Sequence, residues 1–325
     1  LVLAPDPAFS VVVGSSLMIF LPAKAVIGDK SSNAKAPINR TCEQVFGICG
    51  ITSRNRFIVG NTFMNLHPLN SDFTWIQPEP PYRLITQAQA DAYREQGGFL
   101  LEKAFTQAEV ANLVEALDPI EAEANAYLAQ MTDDQPSIAR ADEIVFRPHA
   151  VLQTPVAAQF ATHPVFAALC RDLIGPRARL YWDQLVYKRP GTAEEFPWHQ
   201  DNGYTYVTPQ QYLTCWVALT DATPENGCPW IAPGLHRQGT LAHQWTDLGF
   251  ECLETAPPNA QPMPLAAGSI AVFSSLTPHR TGPNVTDQIR KAYILQYAPD
   301  GAVVHSRSGT VQPATAPDRQ FWVDQ

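Results

Sequence analysis

Residues 179–188, with the sequence RLYWDQLVYK, mark the change from a helical to an extended pattern along this chain. Aromatic and branched side chains dominate this segment, as they do in β-strands. Three later segments have the same character and are separated by proline and glycine: 212–219, 269–273 and 292–297. The second half of the chain is therefore predicted to consist mainly of strands.

Three helices are predicted upstream of these strands, over residues 86–96, 106–131 and 164–174. The first two begin with a threonine, which is a preferred N-cap residue, followed by apolar residues at helical spacing. Pro119 lies inside the second helix and is expected to kink it or to divide it in two. Helices followed by strands indicate an α+β protein, mainly β, with a sandwich or barrel that carries the site.

Residues 1–80 differ from the rest and are predicted to be a poorly ordered extension before a domain over 81–325. An apolar run over 9–22, followed by Ala-Lys-Ala, resembles the core and cleavage site of a signal peptide. Alternatively, Met64 opens a stretch typical of a natural N terminus, and residues 1–63 are then mistranslated upstream sequence. An extension with no assigned role is the third interpretation.

The net charge of the chain is −9, which argues against nucleic acid as a partner because phosphate binding requires a basic surface. The apolar run near the N terminus is short for a membrane span, so no membrane partner is expected. The six cysteines show no metal-binding spacing, which favours free thiols in a reducing compartment. We expect a cytoplasmic protein with a small-molecule substrate; the sequence gives no indication of the oligomeric state.

A His-x-Asp pair, His199 and Asp201, lies in the segment FPWHQD at 196–201. In an extended strand, residues two apart point to the same side, so both side chains face one point. A His-x-Asp motif by itself is weak evidence for a metal site, because such motifs also occur in surface turns. His279 follows the predicted strand at 268–275 and would complete a set of two histidines and one carboxylate, the arrangement of non-haem Fe(II) oxygenases.

Arg290 lies eleven residues after His279 and begins the predicted returning strand. A planar guanidinium binds a carboxylate through two parallel hydrogen bonds. The distal carboxylate of a 2-oxo diacid would require such a partner. The combination of the His-x-Asp pair, the distant histidine and this arginine is much more specific than any one of them.

Three segments together resemble the phytanoyl-CoA dioxygenase family, which includes ectoine hydroxylases. They are WHQD at 198–201, ENG and PGLH at 225–227 and 233–236, and HRTGPN at 279–284 followed by Arg290. The resemblance covers about residues 82–300. Leu235 departs from the family pattern, which usually has serine there, and this puts only loop details in doubt.

The resemblance implies a double-stranded β-helix, a cupin-like jelly roll, with flanking N-terminal helices. It implies Fe(II) held by His199, Asp201 and His279, which would be the catalytic centre. A related group of halogenases replaces the carboxylate with a small residue, so the presence of Asp201 favours hydroxylation. The implied reaction hydroxylates an aliphatic C–H bond with O2 and releases succinate and CO2, with ascorbate as an optional reductant.

The resemblance also implies residues that bind the cosubstrate 2-oxoglutarate. Arg290 would bind its carboxylate with help from the hydroxyl of Thr281. Lys188 lies on the strand before the His-x-Asp segment, where ectoine hydroxylases have a lysine that reaches the cosubstrate. Trp216 corresponds to a family aromatic near the cosubstrate, and a purely structural core tryptophan is the alternative.

Two other interpretations remain open at this point. The first is a metal-binding cupin-like isomerase or hydrolase, which would not need Arg290. The second is a sensor or binding domain without activity, which the complete ligand set argues against. Several further residues allow two roles: Tyr204 and Tyr206 as substrate pocket or core, Arg280 as an anion contact or a solvated side chain, and His236 as pocket lining or loop support.

Overall fold

The computed structural model describes residues 56–59, 62–131, 138–306 and 308–324. The leader and the mistranslated segment predicted near the N terminus fall largely outside the described residues. Within the described part of the chain, no helix combines the length and the apolar character needed to cross a membrane.

Five α-helices are described, together with short 3-10 turns at Ala150–Leu152 and Leu235–Gln238. They are α1 Gln87–Gln96, α2 Gln107–Leu128, α3 Pro155–Ala161, α4 Pro164–Leu173 and α5 Asp201–Tyr204. Thr86 and Thr106 form capping boxes at the starts of α1 and α2, as their sequence positions predict.

Helix α2 runs through Pro119 as one element, so the expected division of this helix is wrong. A proline inside a helix removes one backbone hydrogen bond and crowds the preceding turn. Leu117 and Ile120, on either side of the proline, are both buried in the same core. Burial of this helix face offsets the cost of the proline and keeps the helix continuous.

Seventeen strands are described in this part of the chain. They are β1 Arg56–Val59, β2 Thr62–Asn65, β3 Gly98–Leu101, β4 Ile144–Pro148, β5 Ala178–Lys188, β6 Phe196–His199, β7 Tyr206–Thr208, β8 Leu213–Ala218, β9 Pro229–Ile231, β10 Gln244–Thr246, β11 Gly249–Glu251, β12 Gln261–Pro262, β13 Ile270–Ser274, β14 His279–Thr281, β15 Arg290–Pro299, β16 Val303–His305 and β17 Val311–Pro313.

Of the five described sheets, the two largest form the body of the domain. The larger sheet has six strands in the order β3-β13-β8-β15-β5-β4, and the smaller has four in the order β12-β9-β14-β6. Trp216 of the large sheet and Ile231 of the small sheet belong to one buried cluster, so the sheets pack face to face. This arrangement, with helices α1 to α4 on the outer side, confirms the predicted jelly roll with flanking helices.

The large sheet is buried on both faces because its side chains alternate. One set packs against the helices and includes Cys215, Val217, Tyr293 and Leu295. The alternate set faces the small sheet and includes Trp216, Ala218, Ala292 and Ile294. The inner face of the large sheet is therefore one wall of the space between the two sheets.

Residues before position 81 also pack against the domain. Met64 belongs to a buried cluster with Trp198, and Trp75 contacts the rings of Tyr93 and His236. The buried side chain of Asn70 donates to the carbonyl of Thr240 at 2.9 Å. Side chains from residues 64–75 therefore contribute to the packed unit.

Candidate metal centre

The His-x-Asp pair sits where a strand changes into a helical turn. His199 is the last residue of β6, and Asp201 is the first residue of α5. Gln200 between them keeps an extended backbone, with φ −108° and ψ 142°. The extended geometry assumed from the sequence thus continues as far as Gln200, and both side chains line the same cavity.

His279 reaches the pair from the neighbouring strand. It begins β14 and lies directly opposite His199 in the antiparallel register of β14 and β6. The two imidazole centroids are 4.1 Å apart, and His279 Nε2 is 3.7 Å from Asp201 Oδ1. One ligand atom from each of the three residues lies within 4.8 Å of the others, a spacing that could hold a metal ion.

Hydrogen bonds to the backbone orient both imidazoles. His199 Nδ1 lies 2.8 Å from the carbonyl oxygen of Pro197, and His279 Nδ1 lies 3.0 Å from that of Thr277. A carbonyl only accepts hydrogen bonds, so each Nδ1 carries the proton and each Nε2 keeps a free lone pair. Such bonds are the usual means of fixing the tautomer of a metal-binding histidine.

The carboxylate of Asp201 is also held in place. The hydroxyl of Thr214, on the inner face of β8, donates a hydrogen bond to Asp201 Oδ2. Burial raises the pKa of Asp201, and burial together with the neighbouring His279 lowers the pKa of His199 well below its usual value. A divalent cation fits this donor set, because it stabilises the carboxylate and requires neutral imidazoles.

Arg290 is fully buried and lacks a carboxylate partner among the described residues. Its Nη1 reaches the carbonyl oxygen of Val186 at 3.4 Å, while Nε and Nη2 have no hydrogen-bond partner. The guanidinium lies 5.1 Å from the ring centroid of Trp216, and burial lowers its pKa to about 10. A buried guanidinium with free donors fits a carboxylate ligand, because leaving it unpaired is costly.

Lys188 lies opposite Arg290 in the register of β5 and β15. Its ammonium donates to the carbonyl oxygens of Gly282 and Glu194, the second at 3.0 Å. Burial, followed by the charge of Arg290, lowers the pKa of Lys188 to about 7. The structure therefore places this lysine beside the arginine, with its ammonium bonded to two loops.

The three proposed ligands line a cavity of about 560 Å³. Thr281 and Trp216 line it, whereas Arg290 and Lys188 are not among its lining residues. Sequence reasoning did not identify Gln296, on the inner face of β15, or the segment 312–320, which begins within β17 and also contributes lining residues. Alternation along β15 could have indicated Gln296, but no local pattern marks the C-terminal segment.

The four residues for which the sequence allows two roles differ in their position relative to the cavity. Tyr204 lines the cavity, while the hydroxyl of Tyr206 donates to the carbonyl oxygen of Leu69 away from it. Arg280 forms an ion pair with Glu195. His236 is fully buried, lies outside the cavity lining and contacts the carbonyl oxygen of Arg94, as expected for loop support.

Similarity to known proteins agrees with this geometry. A methylphosphonate hydroxylase from Gimesia maris is 30% identical over 220 residues, which cover 66% of this chain and 80% of that protein. A phytanoyl-CoA dioxygenase from Arabidopsis thaliana is 27% identical over 169 residues, covering 50% of this chain and 60% of that protein.

Among solved structures, the epimerase SnoN in complex with Fe3+, alpha ketoglutarate and nogalamycin RO has the same fold. The TM-score is 0.56 at 23% identity, and the match covers 73% of this chain and 98% of that one. The family described as phytanoyl-CoA dioxygenase (PhyH) matches residues 93–292, which is more than half of the chain. This chain is therefore a member of the phytanoyl-CoA dioxygenase family.

Proposed function

We propose that this protein is an Fe(II)- and 2-oxoglutarate-dependent dioxygenase that hydroxylates an aliphatic C–H bond of a small organic molecule. Membership of the phytanoyl-CoA dioxygenase family supports the class of enzyme. The observation that carries the proposal is the combination of a His-Asp-His set, in which both histidines are buried, with a buried arginine that lacks an anionic partner among the described residues. The His-Asp-His set alone or the buried arginine alone would fit other classes of protein. The two together fit Fe(II) and a dicarboxylate cosubstrate.

His199, Asp201 and His279 would hold the iron through two Nε2 atoms and one carboxylate oxygen. Three protein ligands would leave the remaining coordination positions to cosubstrate and oxygen. Thr214 fixes the carboxylate, and the backbone carbonyls of Pro197 and Thr277 fix the imidazoles. These bonds keep the ligands from turning when the metal leaves or enters.

Arg290 would bind the distal carboxylate of 2-oxoglutarate, and its burial strengthens that contact because little water competes. The ring of Trp216 would pack against the guanidinium of Arg290, since its centroid lies 5.1 Å from that group. Trp216 also lines the cavity. Thr281 would offer a hydroxyl to the same carboxylate, and Lys188 would offer a further hydrogen-bond donor beside Arg290. Iron with 2-oxoglutarate supplies oxygen activation coupled to decarboxylation, which yields succinate and CO2.

The remaining cavity would bind the substrate. Its walls include Trp182 and Tyr204, whose rings would exclude water from the reacting carbon. A volume of about 560 Å³ suits a small or medium-sized molecule. The Gimesia maris relative is named for hydroxylation of methylphosphonate, which is a small molecule. Ascorbate would act only as a reductant that keeps the iron in the ferrous state.

Calorimetric titration under nitrogen tests this proposal. The expected result is that 2-oxoglutarate binds the Fe(II)-loaded protein much more tightly than the metal-free protein, and more tightly than succinate, which lacks the keto group. His279→Ala should lose this metal-dependent binding. His163→Ala is the matched control, because His163 pairs with Glu109 outside the cavity. Tight iron binding without any effect on 2-oxoglutarate would instead favour a cupin-like metalloprotein of another class.

A further inference from the structure

Arg319 brings a second guanidinium to the same cavity. It belongs to the segment 312–320, and it is the one lysine or arginine among the described lining residues. Asp201 is the one carboxylate among them, and it is committed to the proposed metal. Apart from the metal centre, the cavity therefore carries a single positive charge.

The guanidinium of Arg319 has a neutral side-chain partner. Its Nη1 lies 3.0 Å from Nε2 of His149, which accepts the hydrogen bond because arginine can only donate. His149 Nδ1 lies 3.7 Å from Asp183 Oδ1, and the ring of His149 packs against Trp182, which lines the cavity. No acidic side chain in the described part of the chain forms an ion pair with Arg319, so its charge is not neutralised there.

The backbone on both sides of the contact between Arg319 and His149 has a defined conformation. His149 has φ 59° and ψ 46°, a left-handed conformation that is uncommon for a residue other than glycine. On the other side, the amide of Ala316 donates to the side chain of Gln320 at 2.8 Å, which closes a turn around Arg319. Gln320 in turn reaches the carbonyl oxygen of Tyr181 on β5 at 3.3 Å. These bonds anchor the turn that carries Arg319, which is half-buried and lines the cavity.

We infer that Arg319 binds an anionic oxygen group of the substrate, a carboxylate or a phosphonate, while the iron reacts with a carbon elsewhere on the molecule. The inference rests on the proposed function, because the charge count includes the iron and the cosubstrate. Ferrous iron, the Asp201 carboxylate, doubly charged 2-oxoglutarate and the Arg290 cation together carry no net charge, and above pH 7 Lys188 adds little because burial lowers its pKa to about 7. Arg319 then leaves one positive charge, which an anionic substrate neutralises.

The position of Arg319 also gives it a role in selecting substrates. Its free donors form a planar fork suited to two-point binding of an oxyanion. The aromatic residues that line the same cavity suit an apolar carbon skeleton. The substrate class is therefore an organic acid with an apolar body, in which the anionic end fixes the orientation of the C–H bond.

The test uses the protein loaded with Fe(II) and 2-oxoglutarate under nitrogen, so that no turnover occurs. Three probes of equal chain length are titrated by calorimetry: hexanoate, hexylphosphonate and the neutral hexan-1-ol. We expect both anions to bind more tightly than the alcohol. Arg319→Gln should weaken binding of the anions by about 10- to 100-fold, the range for a hydrogen bond to a charged group, and should leave the alcohol unchanged.

Two further variants make the result specific. Arg319→Lys keeps the charge and should retain part of the affinity for the anions. Arg94→Gln removes the same charge from helix α1, outside the cavity, and should match the wild type. The tighter of the two anions then identifies the preferred group as carboxylate or phosphonate.

Equal binding of anions and alcohol by the wild type would overturn the inference, as would full anion affinity in Arg319→Gln. The visible absorbance of the Fe(II) and 2-oxoglutarate complex separates this failure from failure of the proposed function. When that absorbance is normal and the anions show no preference, only the role of Arg319 is wrong. When it is absent from folded wild-type protein loaded with Fe(II), the proposed cosubstrate itself is wrong.

Discussion

His199 and His279 lie directly opposite each other on the antiparallel strands β6 and β14, with their ring centroids 4.1 Å apart. The register of these two strands therefore determines whether the candidate metal ligands lie close together. A shift by one residue would move His279 to the other face of the sheet and separate the two imidazoles. Residues 80 positions apart in the sequence are thus brought together by strand pairing.

The first prediction concerns the hydrogen bond that orients the carboxylate of Asp201. Thr214→Val removes the hydroxyl that donates to Asp201 and keeps the shape of the side chain. We expect iron affinity to fall by about 10- to 100-fold, because groups that orient metal ligands contribute to this extent. Competition with a coloured chelator measures the change.

Thr214→Ser is the matched control, since it retains the hydroxyl and should bind iron nearly as tightly as the wild type. Equal affinity in the valine variant and the wild type would show that the hydrogen bond to Asp201 has no part in metal binding.

The buried charge of Arg290 gives the second prediction. Arg290→Met should weaken 2-oxoglutarate binding to the Fe(II) protein by about 10- to 100-fold, because it removes a charged hydrogen-bond partner. The metal-free variant should unfold at a temperature no lower than the wild type, since it no longer buries an unpaired guanidinium. Calorimetric titration and thermal unfolding followed by circular dichroism check the two parts.

Arg147→Met is the control for this comparison. Arg147 is also almost fully buried, with free Nε and Nη1 atoms, but it lies outside the cavity and its Nη2 donates to Gln153. Its replacement should leave 2-oxoglutarate affinity unchanged. A loss of stability without a loss of affinity in Arg290→Met would assign Arg290 a structural role instead.

The lowered pKa of Lys188 gives the third prediction. Burial, with Arg290 as the second cause, lowers this pKa from 10.5 to about 7 in the folded protein. Between these two values the unfolded chain binds a proton that the folded chain releases, so this group makes stability rise with pH. Below about pH 7 both states are protonated and the contribution no longer changes.

Lys188→Met should therefore remove part of the increase in unfolding free energy between pH 7 and pH 9. Denaturant unfolding of the metal-free protein at both pH values measures it, with Lys103→Met on the exposed surface as the control that should follow the wild type. Parallel pH dependence of Lys188→Met and wild type would mean that Lys188 stays charged in the folded state.

Local signals in the sequence predicted much of the framework. Thr86 and Thr106 mark helix starts because capping depends on neighbours within one turn. The alternation along β8 and β15 likewise reflects two buried faces. Pro119 does not divide helix α2, because its local cost is offset by packing that only the folded protein provides.

The site was predictable only in part. His199, Asp201, His279 and Arg290 follow from spacing and from the family resemblance, and the structure brings the first three within reach of one ion. Arg319 did not stand out, because its position depends on a chain segment that returns to the cavity after the last strand. Short strands such as β9 and β14 also carry too few residues to show a period.

The most direct test of the account is an anaerobic titration of the Fe(II) protein with 2-oxoglutarate, followed by visible absorbance. Chelation through the keto and carboxylate oxygens should produce a weak metal-to-ligand charge-transfer band in the wild type. The band should be absent in His199→Ala and strongly reduced in Arg290→Met at the same 2-oxoglutarate concentration. Folded wild-type protein that binds Fe(II) but develops no band would contradict the proposed oxygenase centre.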